Sequence, residues 1–189
     1  MTSTPAAVAK AKTTAVSGLF YRHSSVKHAA LTGRPIGGRW APTGAFAVLY
    51  LGRPPASVTV EAYRHLVDPV EGMTAAGVGP SLFTTCQLDV NNVVDLRDSV
   101  DQELVGLTPV NLASDVGDYE ACQRIDARAF QLGRSGVIAP AATGFGETLA
   151  LFTERISAAA MPRVTDTTLW ESLPRDPRDL RLVEGEVAE

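Results

Sequence analysis

No aspartate or glutamate occurs between Met1 and Val60, and the first carboxylate of the chain is Glu61. The same sixty residues carry seven bases (Lys10, Lys12, Arg22, Lys27, Arg34, Arg39 and Arg53), which leaves ten bases against all 21 acids in the rest. The formal net charge of −4 therefore conceals a basic first third and an acidic remainder. Two readings of that asymmetry stand. The basic part meets an anion such as phosphate or nucleic acid, or it is a solvated surface that pairs with the acidic part of its own chain.

Other scarcities narrow the class. The two cysteines, Cys86 and Cys122, have neither metal-ligand nor disulfide-framework spacing and read as buried free thiols in a reducing cytoplasm. No apolar run approaches the length that spans a bilayer. The N-terminal "MTSTPAAVAKAKTTAVSG" lacks an apolar core of signal-peptide length and reads as a frayed tail. The signatures G-x-x-x-x-G-K-[ST], G-x-S-x-G and H-E-x-x-H are missing. "GFGETL" (Gly144–Leu149) has G-x-G without a third glycine and precedes a strand, which argues against a dinucleotide-binding turn of the Rossmann kind. His23, His28 and His65 show no metal spacing, so each reads as a surface or hydrogen-bonded histidine and no metal is expected.

What is present is an ordinary globular composition, 45% hydrophobic and 20% charged over 189 residues, enough for one domain with a sizeable core. "AFAVLYL" (Ala45–Leu51), bounded by Gly and Pro, reads as a buried strand. After "GRPP", Ser57 is a candidate cap for a helix through "VTVEAYRHLV" that carries Glu61. "SLFTTCQLDV" and "VVDL" read as strands separated by a turn at Asn91-Asn92. "SVDQELVGL" reads as a short helix. "DYEACQRIDARAFQLG" reads as a longer one, with Cys122, Ile125, Ala129 and Leu132 on one face and Gly133 as its stop. "SGVIAP" and "ETLALFTERI" add buried strands, and the charged, proline-broken "LPRDPRDLRLVEGEVAE" reads as a surface-bound or mobile tail. Short strands mixed with helices, without regular βα alternation, predict an α+β domain.

The residues suited to chemistry form a constellation: Arg22 in "FYRHS", Gly38, Arg39 and Trp40 in "GGRWAP", Tyr50 at a strand end and Glu61 on the helix beyond. Guanidinium forks match phosphate oxygens. Paired glycines let a backbone approach a ligand closely, aromatic rings offer a face for a heterocycle, and a lone carboxylate can support a ribose or an oxocarbenium-like centre. Taken singly, each has a plainer account: Trp40 and Tyr50 as core, Arg22 and Arg39 as surface, Glu61 as a solvated helix position.

Taken in order, Tyr21-Arg22, then Gly37-Gly38-Arg39-Trp40-x-Pro42, Tyr50-Leu51 and Glu61, the pattern resembles the RES domain family of bacterial toxins. "DYEACQ" (Asp118–Gln123) and "GVIAPAATG" (Gly136–Gly144) extend the resemblance, which covers Leu19 to Arg155. It implies an α+β fold related to ADP-ribosyltransferase toxins, with mixed sheets and flanking helices. The expected division is a flexible tail over 1–17, a catalytic domain over 18–160 and a C-terminal extension over 161–189. It also implies NAD+ as substrate, inorganic phosphate as acceptor, and a cognate antitoxin, often Xre-like, that blocks the active site. Nucleic acid would then be met only through the antitoxin, no membrane would be involved, and a homo-oligomer remains open.

Carried over to this chain, Glu61, Arg39 and Tyr50 would be catalytic, and Arg22, Gly38, Trp40 and Glu120 would bind substrate. Glu120 stands where the family has its serine, and Ala41 stands where asparagine is common. Those departures leave the fold expectation intact and put the acceptor in question. Transfer of ADP-ribose to a protein and simple hydrolysis of NAD+ are the alternatives on the same fold. A weakly catalytic interaction module, including one that binds nucleic acid through the basic first third, is the alternative from another class.

Overall fold

The computed structural model describes residues 4–28, 31–113 and 119–179, so the tail expectations for 1–3 and 180–189 lie outside the described residues. Its helices are α1 (Thr4–Lys10), α2 (Pro55–Leu66), α3 (Ser99–Val105), α4 (Pro109–Ala113) and α5 (Glu120–Gln131). Its strands are β1 (Thr13–Ser25), β2 (Val48–Arg53), β3 (Ser81–Asp95), β4 (Gly136–Pro140), β5 (Glu147–Phe152) and β6 (Arg163–Trp170). They pair in the order β1-β2-β5-β4-β3-β6, and an additional β1–β3 pairing closes the first five into a ring, with β6 added to β3 outside it. The expected α+β class is thus realised as a mixed sheet curled on itself and flanked by helices.

Side-chain alternation along β2 and β5 explains why their sequences read as unbroken apolar runs. Leu49, Leu51, Leu149 and Leu151 enter a core shared with Phe20, Cys86, Leu88 and Ile138. Val48, Ala150 and Phe152 face the other way, into a core shared with Trp40, Phe46, Cys122, Ile125 and Ala129. Both faces of these strands are therefore buried. Tyr50, on the same face as Val48, packs against the second core.

The ring has one weak seam. β1 and β2 share a single register pair, Tyr21 opposite Gly52, whereas β1 pairs with β3 from Thr13 to Ser25. Where β1 and β2 splay, α2 crosses, and the resulting cavity is lined from all three.

Several expectations are corrected. The N-terminal segment is not a frayed tail: in α1, Ala7 and Val8 are buried, and Val8 joins the core with Trp40. The C-terminal part is packed as well, since β6 pairs with β3 from Ser81 to Gln87. Beyond it, Leu173 is buried against Ala62 and Tyr63 of α2, and the Tyr63 hydroxyl donates to the Pro174 carbonyl at 2.7 Å. Asn91-Asn92 is not a turn. β3 runs through it, because Asn92 takes φ +62, a left-handed conformation that asparagine tolerates better than most residues. Arg134 holds the Asn92 side-chain oxygen at 2.8 Å. Ser57 does not cap α2. The helix starts at Pro55 without a side-chain cap, and the Ser57 hydroxyl lies 2.8 Å from that of Thr143.

Candidate active site

The site is built on the turn that follows the paired glycines. Gly38 and Ala41 exchange backbone hydrogen bonds, Gly38 N–H to Ala41 O at 2.9 Å and Ala41 N–H to Gly38 O at 3.2 Å. Gly37 has φ +78, a conformation that favours glycine. Gly38 answers a different need: a Cβ there would lie 2.8 Å from the Tyr50 hydroxyl. The Tyr50 oxygen in turn accepts the backbone N–H of Trp40 at 3.0 Å. The Gly-Gly-Arg-Trp box thus bends tightly, drops Trp40 into the core, and projects Arg39 away from it.

Arg22, Gly38, Arg39, Tyr50 and Glu61, drawn from β1, the turn, β2 and α2, line one cavity of about 590 Å³, within the range of small-molecule sites. Two other expected residues do not. Trp40 is buried in the core with its ring off the cavity lining, because a large apolar ring gains more from burial than from a water-filled wall. Glu120 turns out to solvent at the start of α5 and pairs with Arg124 at 2.7 Å, one helical turn on. The residue that this segment gives to the cavity is its neighbour, Tyr119.

Three histidines and two arginines absent from the expected set also line the cavity: His23, His28, His65, Arg34 and Arg64. The histidines gather because α2 crosses the mouth of β1, a contact that isolated sequence positions do not reveal. His28 and His65 are exposed, as expected of surface histidines, and His28 Nδ1 lies 2.9 Å from the Ser25 hydroxyl; what the sequence positions do not disclose is that all three border one cavity. Among the described residues no group of three His, Cys, Asp or Glu side chains is placed to hold a metal ion.

The basic first third is now accounted for residue by residue. Arg22, Arg34 and Arg39 enter the cavity, Arg53 pairs with Glu147, and Lys10, Lys12 and Lys27 are exposed at scattered places. No continuous basic platform for nucleic acid results.

Two of the cavity arginines are fixed by carbonyls. Arg39 donates to the Asn111 carbonyl at 2.7 Å and lies 4.8 Å over the Tyr119 ring. Arg64, three residues beyond Glu61 on α2, donates to the Ala142 carbonyl and, at 3.4 Å, to that of Ala113. The turn itself is clamped from α5. Gln123 Nε2 donates to the Gly38 carbonyl at 2.8 Å and to that of Ala41 at 3.4 Å.

Among the described lining residues, four guanidinium groups face one carboxylate, Glu61. Burial pushes the Glu61 carboxyl up, while the charges of His65, Arg39 and Arg64 pull it back. Burial also lowers the His23 imidazole, helped by His65 and Arg22, and its Nε2 has no hydrogen-bond partner among the described residues. The Tyr50 phenol is raised, chiefly by burial and then by nearby Asp126, so it stays protonated. A positive, partly enclosed cavity with one solitary acid is suited to bind a small polyanion and to stabilise a developing cation beside that acid.

The ring of strands, the turn and the helix bearing a solitary acid define a RES domain, and the chain belongs to that family: the family's model matches residues 16–182. Among known proteins, the chain is 30% identical over 140 residues to the NAD(+) phosphorylase MbcT of Mycobacterium tuberculosis and to that of Mycobacterium bovis. Those matches cover 71% of this chain and 73% of each relative. The crystal structure of the M. tuberculosis MbcT–MbcA toxin–antitoxin complex contains a chain of the same fold, with a TM-score of 0.77 and 25% identity. That match covers 88% of this chain and 91% of the other.

Proposed function

We propose that this protein is the toxin of a toxin–antitoxin pair and that it cleaves the nicotinamide–ribose bond of NAD+, with inorganic phosphate taking the ADP-ribosyl group. The observation that carries the reading is the convergence of Arg22, Arg39, Tyr50 and Glu61 on one cavity in which Glu61 is the single carboxylate among the described lining residues.

In that reaction the C–N bond breaks with its electron pair going to the pyridine nitrogen. Nicotinamide leaves neutral, so no strong general acid is required. The ribose carbon becomes oxocarbenium-like, and a phosphate oxygen then bonds to it. Glu61, in its carboxylate form, stabilises the positive ribose. Arg39 and Arg22 hold phosphate oxygens of donor or acceptor. Tyr50, locked by Trp40 N–H, gives the reacting end a rigid wall. Gly38 permits that wall to stand close.

An antitoxin acts by covering the cavity mouth, in keeping with the toxin–antitoxin complex formed by the structural relative. NAD+ as substrate and buried thiols rather than a disulfide at Cys86 and Cys122 suit action in the cytoplasm.

The test is incubation of the purified protein with NAD+, with and without phosphate, followed by product identification. ADP-ribose-1″-phosphate is expected with phosphate present. Labelled protein in its place would make the reaction protein ADP-ribosylation, and free ADP-ribose would make it hydrolysis. Undiminished NAD+ under all conditions would remove the enzymatic reading.

A further inference from the structure

Arg34 stands apart from the other cavity arginines. Its guanidinium has no hydrogen-bond or ion-pair partner among the described residues, whereas Arg39 and Arg64 are tied to carbonyls. Its main chain is nevertheless pinned. Arg34 N–H donates to the Val48 carbonyl at 3.1 Å, and Val48 N–H returns a bond to the Arg34 carbonyl at 3.3 Å. The loop is thus stitched to the start of β2, and the half-buried side chain enters the cavity from a fixed root.

Arg22 enters from β1 on the other side of the seam, close enough that the charge of Arg34 is the second cause, after burial, lowering its guanidinium. Both guanidinium groups border the same partly enclosed cavity, where a ligand that carries negative charge between like charges is favoured.

Three features select the ligand. The space is a cavity of about 590 Å³, sized for a small molecule rather than a polymer strand. Two guanidinium forks bordering one cavity offer bidentate pairs to two adjacent tetrahedral anions. The wall beyond them is aromatic: Tyr21 and His23 line the cavity, Tyr21 stacks on Phe83 at 5.6 Å, and His23 stacks on Trp170 at 5.7 Å. Ring faces there suit a planar base attached to the phosphates.

We propose that Arg34 and Arg22 form a diphosphate subsite for the dinucleotide, leaving Arg39, beside Glu61, to the reacting end. This assignment rests on NAD+ being the substrate. It gives Arg34 a role in ground-state affinity, so its loss raises KM for the dinucleotide without changing kcat.

Two anions compete for such a site, the diphosphate of the donor and the free phosphate acceptor, and kinetics separate them. Arg34→Gln should raise KM for NAD+ roughly 10- to 100-fold, the cost of charge-assisted hydrogen bonds, with KM for phosphate and kcat unchanged. Arg34→Lys keeps the charge without the fork and should fall between. A rise in KM for phosphate alone would assign Arg34 to the acceptor and overturn the proposal, as would a fall in kcat at unchanged KM.

Calorimetric titration with ADP tests the subsite independently of turnover. The parent protein should bind ADP, Arg34→Gln should weaken that binding roughly tenfold or more, and Arg163→Gln on exposed β6 should not. No binding of ADP by the parent protein, or equal binding by Arg34→Gln, would overturn the subsite whether or not NAD+ is cleaved.

Discussion

The Tyr50 hydroxyl accepts the backbone N–H of Trp40 at 3.0 Å, and this bond joins the cavity wall to the buried anchor of the glycine turn. It explains why the aromatic after Gly-Gly-Arg is in the core while Tyr50, inside β2 rather than at the strand end that the sequence suggests, is in the site. Tyr50→Phe leaves the Trp40 N–H buried without an acceptor, which costs about 1–3 kcal/mol. The expected fall in Tm is roughly 3–10 °C. Gly38→Ala reaches the same bond from the other side, since the added Cβ would lie 2.8 Å from the hydroxyl. Both variants should lose NAD+ turnover, and thermal melts with a product assay check them together. An unchanged Tm for Tyr50→Phe would mean that the Trp40 amide finds another partner.

Gln123 makes a second prediction. Its amide is the side-chain donor to the Gly38 and Ala41 carbonyls, so it fixes the turn from α5 without lining the cavity. Gln123→Glu keeps the size but removes the donor when ionised. It should lower turnover and Tm at neutral pH and recover part of both as the pH falls. A merely space-filling role would give no pH-dependent recovery.

These contacts mark the limit of what one sequence discloses. The β2 and β5 strands, α2 and α5 are legible because apolar period and breakers are local properties. Arg22, Arg39, Tyr50 and Glu61 are legible as a set only through the resemblance, because β1, the turn, β2 and α2 are brought together by the closed ring. Gln123 sits beside Cys122 on the inward side of α5, and a polar residue next to an apolar stripe is the one signal that could have marked it. Arg34 has no local signal at all, since its significance lies in Arg22 across the seam. The packing of the two ends is hidden for the opposite reason. The small, polar N-terminal segment reads as a frayed tail and β6 falls in an expected C-terminal extension, yet Val8 of α1 fits a core gap and β6 finds an open edge of β3. The apparent turn at Asn91-Asn92 fails because one asparagine absorbs the positive φ and the strand continues.

Glu61 gives a prediction in pH. Burial raises its carboxyl above the ordinary glutamate value, so the ionised form that the proposed reaction uses is lost as pH falls through that raised value. The acid limb of the kcat/KM profile should therefore lie above the usual carboxylate range. The charge of His65 is the largest that opposes the rise, so His65→Gln should push the limb still higher. Glu61→Gln should reduce turnover at least 100-fold, as expected for loss of electrostatic stabilisation at a reacting centre, and remain folded. Wild-type turnover by Glu61→Gln would displace the carboxylate from the mechanism.

Asp126 carries the last prediction. It lies on the buried face of α5, fully inaccessible, and neither carboxylate oxygen has a hydrogen-bond partner among the described residues. Its charge is among the causes that raise the Tyr50 phenol. A lone ionised carboxylate is costly in such surroundings, and burial raises the Asp126 carboxyl well above its ordinary value. At low pH the carboxyl is protonated whether the chain is folded or unfolded, and nothing is lost. As pH rises above the ordinary aspartate range, the unfolded chain releases this proton and the folded one keeps it. The unfolded state then binds fewer protons, so this group lowers stability with increasing pH until the raised value is reached. Asp126→Asn keeps the shape and cannot ionise. Its Tm should match the parent near pH 4 and exceed it by a margin that widens toward pH 7. A margin that is constant or shrinks over that range would show that Asp126 is ionised and compensated in the folded protein.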